Sequence, residues 1–320
     1  MPLYYKSHDT TSRMVANTDG VEAAGEVNSL ISNLLSLPHR RIMPIEMALV
    51  FDEIGKWSEI KLDIIEKYAL PYSKILASRK NPEFHHVYID AFAGSGTHIS
   101  RTTRDPIRGS PQIALDIKPH FKEYYFIDTD GAKVAELNRL ISDRPEAHVL
   151  QGDCNSILLT DVFPRVMYKD FRRGLCLLDP YGLDLDWKVI ETAGQMKSID
   201  MILNFPVMAM NRNVFWRNPE GVDPADILRM NTYWGDESWK KAAYRPTPNL
   251  FGEVKGIKGN NRTIALAFKK RLQDVAKFTY VSKPLPMRNS KSATIYYLFF
   301  ATQQQIANNI ITNIFKKYSG

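Results

Sequence analysis

The sequence predicts an α/β protein in which a mostly parallel, Rossmann-like sheet carries helices on both faces. Two observations predict it. Short apolar runs, the first ending in an acid and small residues, alternate with amphipathic stretches, and the links between them are short. The chain of 320 residues is 44% hydrophobic and 24% charged, enough to bury one large core.

The elements follow in order. Residues 1–45 show little periodicity and are expected to form a flexible extension, with one short helix over Asn28–Leu37 stopped by Pro38. Order is expected over residues 46–320. Trp57, Ile60, Leu62, Ile64, Ile65, Tyr68 and Ala69 recur at helical spacing, and Pro71 is expected to kink or end that helix. HHVYIDAFAG reads as a buried strand entering a tight loop, and SPQIALDIK as a helix with Ser110 as N-cap and Pro111 at its first position. EYYFIDTD, AHVLQGDCN, RGLCLLDPYG and SIDMILNFPV read as four further strands, with helices at GAKVAELNRLISDR and DWKVIETAGQMK. Residues 207–262 break the alternation and read as an insertion after the fifth strand. A helix at NRTIALAFKKRLQDVA, two strands within FTYVSKPLPMRNSKSATIYYLFFAT and a helix at QQIANNIITNIFKKY close the domain.

Composition excludes several classes. Two cysteines, Cys154 and Cys176, are too few for a disulfide framework or a thiolate zinc site, and the chemistry below requires no metal. No apolar stretch reaches membrane-spanning length, and MPLYYKSHDTTSR lacks a signal-peptide core, so a cytoplasmic protein is expected with no membrane partner. Lys+Arg exceed Asp+Glu by 42 − 35 = 7, which permits a nucleic-acid partner, DNA or RNA. No Gly-x-x-x-x-Gly-Lys-Ser/Thr occurs, which excludes the P-loop nucleotide triphosphatases. Against a nicotinamide-dependent oxidoreductase, the third glycine of the dinucleotide loop is replaced by Ile99 and no Tyr-x-x-x-Lys is present.

Four strand ends carry candidate chemistry. Asp90, Phe92, Gly94 and Gly96 lie where small residues let backbone approach a ligand closely, outside the carboxyl end of a strand. Asp128 ends the second strand, where an acid accepts the hydroxyls of a ribose; Asp130 competes for that role or caps the next helix. Asp153 either accepts from an adenine amino group or serves as a turn aspartate. Asp179-Pro180-Tyr181-Gly182 offers a carboxylate, a carbonyl and a flat ring beside the same crevice, and Asn204-Phe205-Pro206 adds either a polar contact or a core turn. Arg101 and Arg104 follow the glycine loop as candidate phosphate contacts. Phe215, Trp216, Tyr233, Trp234, Trp239 and Tyr244 of the insertion are either base-stacking or packing residues.

These elements together resemble a class I S-adenosylmethionine-dependent methyltransferase. YIDAFAGSGTH, GSPQIAL, FIDTD, GDCN, LLDPYGLDLDW and MILNFPVM, with Trp57, Lys61 and Tyr68 on the leading helix, are more closely similar to the three-Cys-motif partner (TcmP) family over about residues 50–310. The resemblance implies a sheet whose last strand is antiparallel and S-adenosylmethionine held at Asp90, Gly94, Gly96, Asp128 and Asp153, and Phe92 in the same loop is expected to join them. It also implies a partner protein bearing a cysteine motif. DPYG is similar to the DPFG of tRNA guanine-N2 methyltransferases and departs from the Asp/Asn-Pro-Pro-Tyr/Phe of other amino methyltransferases. The expected activity is therefore methyl transfer to an exocyclic amino group of a nucleic-acid base, with Asp179, Pro180 and Tyr181 as its catalytic residues and Arg101 and Arg104 binding substrate. The alternative is a methyltransferase-like binding protein without turnover.

Overall fold

The structure, a computed structural model, describes residues 52–248 and 254–319. The expected extension over residues 1–45 and its helix lie outside the described residues.

One eight-stranded sheet organises the domain. β2 (His85–Asp90), β5 (Glu123–Asp128), β6 (Ala147–Gln151), β7 (Arg172–Leu178) and β8 (Ile199–Phe205) are parallel; β11 (Tyr280–Val281), β12 (Leu285–Arg288) and β13 (Thr294–Thr302) complete it. The order is β11-β13-β8-β7-β2-β5-β6, with β12 also paired to β13. β13 runs antiparallel to β8, Leu298 opposite Asn204, as expected. From β2 the chain builds outward through β5 and β6, then returns to lay β7 and β8 on the other flank. The winding therefore reverses between β2 and β7, and a ligand crevice belongs at their carboxyl ends.

Strand alternation divides the core into two layers. Val87, Ile89, Cys176, Leu178, Leu203 and Phe205 face one side, where α5 (Trp187–Met196) and α9 (Asn261–Asp274) pack Ile190 and Phe268 against them. Tyr88, Phe126, Leu175, Leu177 and Ile202 face the other side, against α1 (Lys56–Ala77), α2 (Ser110–Asp116) and α10 (Gln305–Lys316). Each fully buried aliphatic side chain in these layers contributes about 1.5–3 kcal/mol.

Four expectations are refined. Pro71 does not end α1, which continues to Ala77. Ser110 is not the N-cap of α2 but its first residue, after Gly109. The residues that follow the glycine loop, Arg101 and Arg104 among them, belong to a hairpin of β3 (Thr97–Ser100) and β4 (Pro106–Arg108), and β1 (Glu53–Ile54) adds to β3. The insertion folds as α6 (Val207–Asn213), α7 (Pro224–Trp234), α8 (Trp239–Ala243) and a hairpin of β9 (Tyr244–Pro248) with β10 (Val254–Lys258). It buries Phe215, Tyr233, Trp234 and Trp239 in the first core layer, so these rings pack and do not stack bases; Trp216 remains exposed.

Candidate functional site

The glycine loop is tied down from three sides. Gly94 and Gly96 adopt φ of 65° and 81°, in the left-handed region that side chains disfavour. A Cβ on Gly96 would stand 2.8 Å from Leu140 Cδ2, while the Gly109 amide donates to the Gly96 carbonyl at 2.8 Å. A Cβ on Gly94 would meet only His98 Cε1, at 3.8 Å, so backbone is open there to a close ligand. Asp128 Oδ2 accepts from the Gly94 amide at 2.9 Å, and Oδ1 from the Asp130 amide at 2.9 Å. Asp128 thus links the first and second strand ends and remains half-buried. Asp130 accepts from the amides of Ala132 and Lys133 as N-cap of α3 (Gly131–Leu140).

Asp90 lies beneath the loop, fully buried. Its Oδ1 accepts weakly from the Phe92 amide at 3.4 Å, and its Oδ2 has no hydrogen-bond partner among the described residues. Burial pushes its carboxyl up to about 7, with the Asp179 charge acting in the same direction; Ser110, the Phe92 amide and Lys61 oppose this. Phe92 packs half-buried against the first core layer. Asp153 is exposed and caps α4 (Cys154–Ile157), accepting from the Ser156 amide at 3.1 Å and from Asn155 Nδ2 at 3.0 Å.

Across the switch point, Asp179 follows β7. Its Oδ2 forms an ion pair with Lys61 of α1, and its Oδ1 accepts from Asn204 Nδ2 at 2.9 Å. The same Asn204 nitrogen reaches the Pro180 carbonyl at 3.3 Å. The carboxylate and the carbonyl thus converge on a single amide nitrogen, that of Asn204. Tyr181 stands out from the pocket, 77% exposed, and its hydroxyl donates to Asp52 at 3.0 Å. Lys133 closes that rim, 2.6 Å from Asp52.

Two residues of the site had no assigned role from sequence. Lys61 appeared only as part of a similar helix, and the pairing spans 118 positions. His98 on β3 lies beside the loop with a buried Nδ1 that has no partner among the described residues. Burial, aided by Lys61, holds its imidazole down at about 4. Its signal was a polar ring two residues beyond Gly96. Arg101 and Arg104 lie in the β3–β4 turn, exposed; Arg104 pairs with Glu53, which leaves Arg101 the freer cation. Arg108, on β4, is held by Glu66 and Asp116.

No family model matches the chain, and no curated protein matches it. Among solved structures it is similar to protein LPL1258 from Legionella pneumophila, at 10% identity over 80% of this chain and 92% of that one, with a TM-score of 0.46. It is also similar to a putative methyltransferase from Thermobifida fusca, at 10% identity, 78% and 80% coverage and a TM-score of 0.40. The N-methyltransferase NodS from Bradyrhizobium japonicum, solved with S-adenosyl-L-homocysteine, shares 8% identity over 78% of this chain and 89% of its own, with a TM-score of 0.39. Likenesses this remote say nothing of activity.

Proposed function

We propose that this protein is an S-adenosylmethionine-dependent methyltransferase acting on an exocyclic amino group of a nucleic-acid base. The observation that carries the reading is the convergence of Asp179 Oδ1 and the Pro180 carbonyl on one nitrogen, beside a glycine loop strapped to an acid at the next strand end. The residues fit the cofactor: backbone is open at Gly94, Asp128 keeps unused lone pairs, and Asp90 Oδ2 lacks a partner among the described residues. Asp90, Phe92, Gly94, Gly96, Asp128 and Asp153 would hold it, and when bound it supplies an electrophilic methyl group on sulfur.

The chain's own part is positioning. Asp179 and Pro180 accept the two amino hydrogens on the lone pairs that Asn204 leaves free and so aim the nitrogen lone pair away from themselves, into the crevice. Lys61 and Asn204 fix the carboxylate plane beforehand, so little orientational entropy remains to be lost in the reaction. Tyr181, exposed at the rim, presents a ring to an extruded base. Arg101, and Arg104 if its Glu53 contact yields, lie where phosphates of the polymer would pass.

A second reading has its own support. Both Asp179 oxygens already have partners, Lys61 and Asn204, which suits a binding protein that no longer turns over. Transfer of radiolabelled methyl from S-adenosylmethionine to total DNA and total RNA, with calorimetry of cofactor binding, separates the two. Labelled nucleic acid supports the enzyme, binding without transfer supports the second reading, and absence of cofactor binding defeats both. The resemblance to the three-Cys-motif partner family adds a protein partner, to be sought by co-purification with a candidate cysteine-motif protein.

A further inference from the structure

A separate cavity of about 300 Å³ lies at the amino ends of β7 and β8, the opposite end of the sheet from the methyl-transfer crevice. Ile75 and Leu76 of α1, Phe84, and Ile310 of α10 form apolar walls. Its charged groups are unbalanced: Arg79, Arg173 and Lys197 line it against one acid, Asp200. That acid is already engaged, since Asp200 Oδ2 accepts from the Tyr68 hydroxyl at 2.7 Å and Oδ1 accepts from Thr302.

Arg173 is the informative residue. Its guanidinium lies 3.7 Å from the Tyr168 ring centre and 4.8 Å from that of Phe84. Nη1 donates to the carbonyls of Tyr168 and Arg172, at 3.1 and 2.7 Å. Among the described residues no carboxylate comes within ion-pair distance of it. Half-buried between two rings, it is a cation with donors to spare. Tyr72, also lining the cavity, has a buried hydroxyl with no partner among the described residues. Unpaired donors in such a place are costly unless something accepts from them.

We propose that this cavity binds a small apolar monocarboxylate, its anion on Arg173 and its body against Ile75, Leu76 and Ile310. The volume suits a body of about two fused rings, since an apolar cavity of about 150 Å³ holds one benzene. The proposal is independent of the methyl-transfer reading.

The probe is 2-naphthoate, titrated by calorimetry into the full chain, with 2-naphthamide as its neutral counterpart. The acid should bind saturably and about tenfold or more tighter than the amide, because only the acid forms a charge-assisted bond. Arg173→Gln should erase that preference while leaving amide binding nearly unchanged. Ile310→Trp should abolish binding of both by filling the cavity. Arg79 is exposed, so Arg79→Gln should fold normally and reduce the acid's advantage about two- to threefold, which keeps the test decisive if Arg173→Gln is unstable. Absence of saturable binding, equal affinity for acid and amide, or an affinity untouched by Ile310→Trp would overturn the proposal.

Discussion

Removing either partner of the Lys61–Asp179 pair should reveal how much of the site's order it supplies. The side chains retain 10% and 22% of their exposure, so the two deletions are unequal. Asp179→Ala leaves the more deeply buried ammonium, among the described residues, without an ion-pair partner and with only the Tyr296 ring, 5.6 Å away, and the more distant Asp90 carboxyl as favourable neighbours. It should cost about 3 kcal/mol. Lys61→Met keeps most of the apolar stem and leaves Asp179 its Asn204 bond and some water, so about 1–2 kcal/mol is expected. The double variant should lose less than the sum, with a coupling of about 2 kcal/mol read from urea unfolding at pH 7. Single-turnover methyl transfer on the same proteins should fall about a hundredfold in Lys61→Met, while S-adenosylmethionine affinity changes less than about threefold, because the lysine orients the acceptor and not the cofactor. The His98 imidazole, which Lys61 helps to hold low, should titrate higher in Lys61→Met when followed by NMR. A coupling below about 0.5 kcal/mol would mean that solvent screens the pair, and the positioning argument would fail.

Asp128→Ala should weaken S-adenosylmethionine binding about ten- to a hundredfold by calorimetry and free the Gly94 amide, whereas Asp130→Ala should cost about 1 kcal/mol of stability and leave affinity unchanged. Gly96→Ala should lower the melting temperature measurably, since it forces φ of 81° on an L-residue and drives a methyl toward Leu140; an unchanged Tm would contradict the close packing. Tyr181→Phe should retain most transfer, and Tyr181→Ala should lose about 1–3 kcal/mol of nucleic-acid affinity in a binding titration. Burial raises Asp200 to about 6, against the hydrogen bonds of Thr302 and Tyr68 and the Arg173 charge. The folded state therefore keeps a proton that the unfolded chain releases near 3.8, and stability present below about pH 4 is lost as pH rises to about 6. Relative to Asp200→Asn, the wild type should lose about 2–3 kcal/mol across that window by denaturant unfolding, and a flat difference would refute the assignment.

The sheet was legible because its parallel strands are short apolar runs, and in four of the five an acid at or just past the strand end (Asp90, Asp128, Asp153, Asp179) marks the carboxyl edge. Asp90, Asp128 and Asp179 could thus be assigned to one crevice from sequence. The β3–β4 hairpin was not legible: its strands are three and four residues long and mostly polar, so alternation gives no signal. Nor could spacing reveal that Lys61 meets Asp179, or that Asn204 reaches the Pro180 carbonyl, since those contacts depend on how α1 and β8 lie against β7. The insertion's aromatics were ambiguous for a related reason. A Trp suits either a base or a core, and only the packing of Trp234 of α7 against Phe268 and Phe205, and of Trp239 of α8 against Phe215, decides in favour of the core.

Helix α1 touches an acid near each end of the sheet: Lys61 meets Asp179 beyond β7, and Tyr68 meets Asp200 at the start of β8. Pro71 has no amide hydrogen to give the Lys67 carbonyl, so the ladder of the helix lacks a rung close to Tyr68 and Tyr72. The segment bearing Lys61 keeps an unbroken ladder and behaves as a stiff lever, whereas the segment beyond the proline bends at lower cost. A ligand pressing on Tyr72 would be absorbed at that joint before it reached Lys61, so the fold insulates the two ends of the sheet from each other.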